Sequence, residues 1–120
     1  MDSAQTLSSA LGRIRISSDA IAQIVGRVTA ESYGIVGMTP RTGGRVAKLL
    51  SRDRITQGIA VSQADGGGVR IDVHVVVEYG LNLAEVGAAL RSRIAYEVGR
   101  LTGLEVAAVE VHIEDVRRST

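Results

Sequence analysis

Apolar and polar residues alternate most cleanly over residues 69–78, VRIDVHVVVE. Val69, Ile71, Val73, Val75 and Val77 fall on one face, with Arg70, Asp72 and His74 on the other. A period of two marks a strand with one buried face. The turn Asp65-Gly66-Gly67-Gly68 precedes it, and Ile59 and Val61 mark a partner strand over residues 58–63. The pattern predicts a β-hairpin with a loop longer than two residues. Residues 104–116 read as the last strand, with Val109, Val111 and Ile113 inward. Residues 12–16 read as a short first strand, in which Ile14 and Ile16 alternate with Arg13 and Arg15.

Two stretches carry the helical period instead. Ser17 or Ser18 offers an N-cap, and Asp19 suits the positive end of a helix. Ile21, Ile24, Val25 and Val28 then share a face, so a helix is expected to about Ser32, with Gly34 ending it. The second stretch opens on Asn82 and Glu85, which are spaced as a capping box. Leu83, Val86, Leu90, Ile94, Val98 and Leu101 form its stripe, and Gly103 suits its C-terminal turn. Residues 34–44 read as a loop, with Pro40 and Gly43-Gly44 as breakers. Residues 45–52 read as a short extra helix, with Val46, Leu49 and Leu50 on one side and Arg45, Lys48 and Arg52 on another.

The expected order is β-α-(α)-β-β-α-β. A sheet with one apolar face takes its helices on that face, giving an α+β two-layer sandwich with a mostly antiparallel sheet. Ferredoxin-like and KH-like arrangements both fit, and alternation leaves the strand order open. The 120 residues suit a single domain over residues 12–116, between a loose tail at residues 1–11 and a short tail at residues 117–120.

Composition narrows the chemistry. Phe and Trp are absent and there are 3 Tyr, so the core is aliphatic. With no Cys, disulfides, thiolate metal sites and cysteine nucleophiles are excluded, which fits a reducing cytosol. The polar, Ser-rich start does not read as a secretory signal, and no apolar run approaches the roughly 20 residues that span a bilayer. Any membrane role then requires surface contact or a partner. The net charge is +1, divided as +4 over residues 1–60 and −3 over residues 61–120. Such asymmetry can favour head-to-tail self-association, but averaging out when the halves fold together is the preferred reading.

Four features are candidate sites. His74 and His112 both face outward on predicted strands, among several carboxylates. Two imidazoles with carboxylates suit a divalent metal such as zinc. Alternation alone also puts polar residues there, and nothing in the sequence brings the two together, so no metal or cofactor is assigned. Arg41, Arg45, Lys48, Arg52 and Arg54 form a basic segment opposed only by Asp53, an interaction surface for an anionic partner. Gly34-Ile35-Val36-Gly37 has the GxxG spacing with which KH domains clamp a nucleic-acid backbone. Together with the basic segment over residues 41–54, it carries the alternative reading of a nucleic-acid-binding module. Aromatic stacking platforms are missing, so nucleic acid is not the favoured partner. Val76 breaks the alternation of its strand and is read as an exposed apolar subunit contact. Phosphate-loop, dinucleotide and nucleophile-elbow motifs are absent, and the chain is read as non-enzymatic.

Five short motifs in order resemble the alkaline shock protein family of bacteria. They are Gly12-Arg13-Ile14-Arg15-Ile16-Ser17, Tyr33-Gly34-Ile35-Val36-Gly37-Met38, Gly58-Ile59-Ala60-Val61, Val77-Glu78-Tyr79-Gly80 with Asn82, and Leu101-Thr102-Gly103-Leu104 leading to Val109-Glu110-Val111-His112-Ile113. The second departs from the family's usual Pro-Gly-Val, and residues 41–54 are more basic than the family suggests. The resemblance implies a cytoplasmic, non-enzymatic protein, peripheral to the membrane and tied to envelope homeostasis under stress. It further implies a homo-oligomer that binds a small membrane-anchored protein.

Overall fold

In the computed structural model, residues 5–39 and 58–118 are described. The chain runs β1 (Gln5–Ser9), β2 (Gly12–Ile16), α1 (Ser18–Ala30), β3 (Ile35–Met38), β4 (Ile59–Gln63), β5 (Val69–Glu78), α2 (Leu83–Thr102) and β6 (Val106–Arg117). The expected short helix at residues 45–52 lies outside the described residues, as does the whole basic segment.

β5 is the axis of the main sheet. Its first half pairs antiparallel with β4, from Gln63↔Val69 to Ile59↔Val73. Its second half pairs antiparallel with β3, from Met38↔Val75 to Ile35↔Val77. β3 and β4 therefore lie end to end along one edge and meet at His74. Its carbonyl accepts from the Thr39 N–H at 3.1 Å, and its N–H donates to the Gly58 carbonyl at 2.8 Å. β6 pairs parallel along the other edge, from Val69↔Val106 to Glu78↔Arg117. A parallel neighbour requires a crossover, and α2 supplies it.

The inward residues of β5, Val69, Ile71, Val73, Val75 and Val77, are fully buried. Ile21, Val25 and Val28 of α1 and Val86, Leu90, Ile94 and Val98 of α2 join them in one core. Both helices thus cover one sheet face, the expected α+β sandwich. The helix starts also follow the sequence. Ser17 Oγ accepts from the Ala20 N–H at 3.0 Å, and Asn82 Oδ1 from the Glu85 N–H at 3.0 Å. Gly103 closes α2 at φ +76, a left-handed conformation that glycine adopts without a Cβ clash.

Several expectations change. Gln5–Ser9, within the expected tail, is a strand that pairs antiparallel with β2 as a separate two-stranded sheet. Ile35–Met38, expected in a loop, is β3. Val76 is not an exposed contact: it is 2% exposed. Pairing registers shift at Val75/Val76 against β6 and at Ile35/Gly37 against β3. Such bulges re-aim side chains, and Val75, Val76 and Val77 are all buried. The α2 stripe is buried only in its middle, since Leu83 is 38% and Leu101 54% exposed.

Candidate functional site

Parallel pairing joins two polar rows on the sheet face away from the helices. Asp72 lies opposite Glu110, and His74 opposite His112. The two imidazoles stack, with ring centroids 4.4 Å apart and planes 9° from parallel. His74 Nδ1 is 2.7 Å from Glu114 Oε2, and His112 Nε2 is 3.0 Å from Asp72 Oδ1. Arg70 donates to Asp72 through Nε at 3.2 Å and reaches Glu110 through Nη2 at 3.4 Å. Six side chains from two strands thus form one connected polar strip.

Asp72 is its best-held acid. Burial pushes its pKa up, but hydrogen bonds from His112 and Arg70, with their charges, outweigh it and leave the carboxyl below its ordinary value. Arg70 is raised in turn by its hydrogen bond to Asp72 and by the charges of Asp72 and Glu110. One ligand atom from each of His74, His112 and Glu114 lies within 4.8 Å of the others, and the same holds for Asp72, Glu110 and His112. The arrangement offers imidazole and carboxylate donors of the kind that ligate divalent metals.

A second surface lies at the edges. Among the described residues β6 pairs only with β5, so its other edge is open. A groove of about 370 Å³ runs along that side, lined by Leu83, Gly87 and Ala88 of α2 and Val109, Val111 and Ile113 of β6. Arg91 and Glu110 also line it, and Glu105, Glu114 and Asp115, on β6 or just before it, are exposed. The β1–β2 hairpin has the opposite character. Leu11 at its turn is 99% exposed and Ile14 is 62% exposed, flanked by exposed Arg13 and Arg15.

The structure brings His74 and His112 together, which the sequence did not. It also adds Asp72 and Glu114 as their direct partners; their positions on alternating strands were the available signal. Gly34-Ile35-Val36-Gly37 is not a loop between two helices. Three of its residues belong to β3, and the Gly34 carbonyl accepts from the Glu78 N–H at 2.8 Å. The KH-type clamp is therefore removed as a site. Arg41, Arg45, Lys48, Arg52 and Arg54 lie outside the described residues. No described helix is long and apolar enough to cross a membrane.

Comparison with known proteins agrees along nearly the whole chain. The chain is 31% identical over 108 residues to the uncharacterized protein YloU of Bacillus subtilis, covering 88% of this chain and 89% of that protein. It is 29% identical to the uncharacterized protein Spy1614 of Streptococcus pyogenes over 108 residues, covering 88% of each. It is also 26% identical over 121 residues to a stress response regulator gls24 homolog of Streptococcus pyogenes, covering 97% of this chain and 65% of that one. No solved structure matches. The match that assigns the family spans residues 6–118, both edge surfaces and the histidine strip included: the chain belongs to the alkaline shock protein 23 family, which has a cell envelope-related function.

Proposed function

We propose that this protein is a non-enzymatic interaction module of the envelope stress response, which associates head to tail with copies of itself and is held at the cytoplasmic membrane face by a partner. The envelope role rests on the family, and the stress role on the regulator homolog among its relatives. Head-to-tail association is supported by two exposed surfaces of the same chain: the β1–β2 hairpin with Leu11, Ile14, Arg13 and Arg15, and the open β6 edge with its apolar groove and exposed acids.

An isolated two-stranded hairpin buries too little apolar surface to be stable alone. Leu11 and Ile14 gain by entering an apolar groove, while Arg13 and Arg15 meet the acids beside β6. An open strand edge is also a template for an added strand. One copy's hairpin on the next copy's β6 edge is a heterologous contact, which propagates unless its rotation closes a ring.

Light scattering across a concentration series tests association, and cell fractionation with and without envelope stress tests docking. The expected outcome is a mass that rises with concentration and falls with added salt, with part of the protein in the membrane fraction. A monomer at every concentration, found only in the soluble fraction, would defeat the proposal.

A further inference from the structure

The strip on the outer sheet face shares Glu110 and Glu114 with the acids of the β6 edge, and it gathers two imidazoles, three carboxylates and one guanidinium. With neutral imidazoles that strip is net negative, and it favours a cation. We propose that His74, His112 and Glu114 form a surface site for a divalent transition metal of the zinc class, with Asp72 orienting His112.

The donor set selects the ion. Imidazole nitrogen with one carboxylate suits zinc, nickel or copper, whereas magnesium and calcium take oxygen donors. Of the two candidate clusters, the one containing Asp72 and Glu110 is already bridged by Arg70, whose guanidinium stands where a cation would. The cluster of His74, His112 and Glu114 has no such competitor among the described residues. Asp72 Oδ1 holds His112 through Nε2, which leaves Nδ1 as the ligating nitrogen. A carboxylate behind a ligating imidazole fixes its tautomer and raises its basicity.

Ligation requires small rearrangements. Two donors at zinc bond lengths of about 2.0–2.1 Å and tetrahedral angles stand about 3.4 Å apart. His74 Nδ1 and Glu114 Oε2, hydrogen-bonded at 2.7 Å, must separate slightly, and the proton between them moves to His74 Nε2 or to solvent. The stacked rings must also turn, because their lone pairs lie in the ring planes and near-parallel planes do not converge. Imidazole χ2 is a broad torsion, and all three side chains are at least partly exposed. The fourth position opens to solvent, as in sites that bind rather than only brace.

Tag-free protein titrated with zinc by calorimetry, alongside long-range ¹H–¹⁵N NMR of the imidazoles, tests the site. One ion per chain is expected, with ring-nitrogen shifts at both His74 and His112. His74→Ala and His112→Ala should each weaken binding at least tenfold, and Asp72→Asn by about tenfold. Magnesium should not compete. No saturable binding at about 100 μM zinc excludes any affinity tighter than that and overturns the proposal. Undiminished binding by the His74→Ala/His112→Ala double variant would place the ion elsewhere and overturn it equally. The NMR shifts in the unsubstituted protein decide the matter even if a variant fails to fold.

Discussion

His74 and His112 stack face to face because β5 and β6 run parallel with these two residues opposite one another. Both strands alternate in phase: Ile71 pairs with Val109, Val73 with Val111 and Val75 with Ile113 toward the core. The residues between them must share the other face. The same register that closes the core thus assembles the polar strip, and the two histidines and Asp72 are each flanked in sequence by core residues.

Asp72 should make stability depend on acid pH. Its folded-state pKa lies below its ordinary value despite the opposing effect of burial. A carboxyl depressed on folding stabilises the protein above its unfolded pKa, about 3.9, and loses that contribution as pH falls through the folded-state value. Asp72→Asn should therefore be less stable than the parent at pH 6, and the gap should narrow as the solution is acidified below pH 4. Thermal melts at the two pH values measure it. A gap that is unchanged in acid would contradict the assignment.

How much of this is legible in the sequence differs by element. β5 is readable because five inward aliphatics alternate without interruption, and both major helices because a cap residue precedes a periodic stripe. β3 is not, since four residues with a glycine inside show too little alternation and their pairing comes from β5. β1 has Leu7 as its one large apolar residue, so only its backbone ladder with β2 reveals it. Val76 departs from the alternation reading because a bulge, invisible in composition, changes its direction. The residue types of the histidine strip are evident in the sequence. Their proximity is not, because it depends on a parallel crossover that alternation does not encode.

The α2 stripe separates two leucines that look alike in sequence. Leu90 is buried in the core, while Leu101 is 54% exposed. Leu90→Ala should cost about 2–5 kcal/mol through lost transfer energy and an unfilled cavity. Leu101→Ala should stay within about 0.5 kcal/mol, as exposed substitutions do. Urea unfolding of the two variants reads the difference directly.

Gly58 holds the junction where β3 ends and β4 begins. Its φ of +77 is left-handed, and a Cβ there would collide with the Thr39 carbonyl and come within 3.1 Å of the His74 carbonyl. Those are backbone atoms of the ladder itself and cannot swing aside. Left-handed strain in a non-glycine residue costs about 1–3 kcal/mol before any clash is counted. Gly58→Ala should therefore destabilise by about 2 kcal/mol or more. By contrast Gly66→Ala, whose added Cβ meets nothing within 4 Å, should lose only what its φ of +84 costs. Denaturant midpoints of both variants separate clash from strain.

The head-to-tail contact makes a prediction that a symmetric contact does not. Leu11→Asp with Ile14→Asp disables the hairpin and leaves the groove beside β6 intact. Leu83→Asp with Ala88→Arg disables the groove and leaves the hairpin intact. All four residues are exposed, so each pair should fold. Either variant alone should be monomeric by light scattering. Mixed in equal amounts, they retain one working hairpin and one working groove between them, and they should form a one-to-one dimer that grows no further. A contact in which one patch meets its own copy would not be complemented in this way. If the mixture stays monomeric while the unsubstituted protein associates, the hairpin and the β6 edge are not partners. If both variants associate as before, neither surface carries the contact.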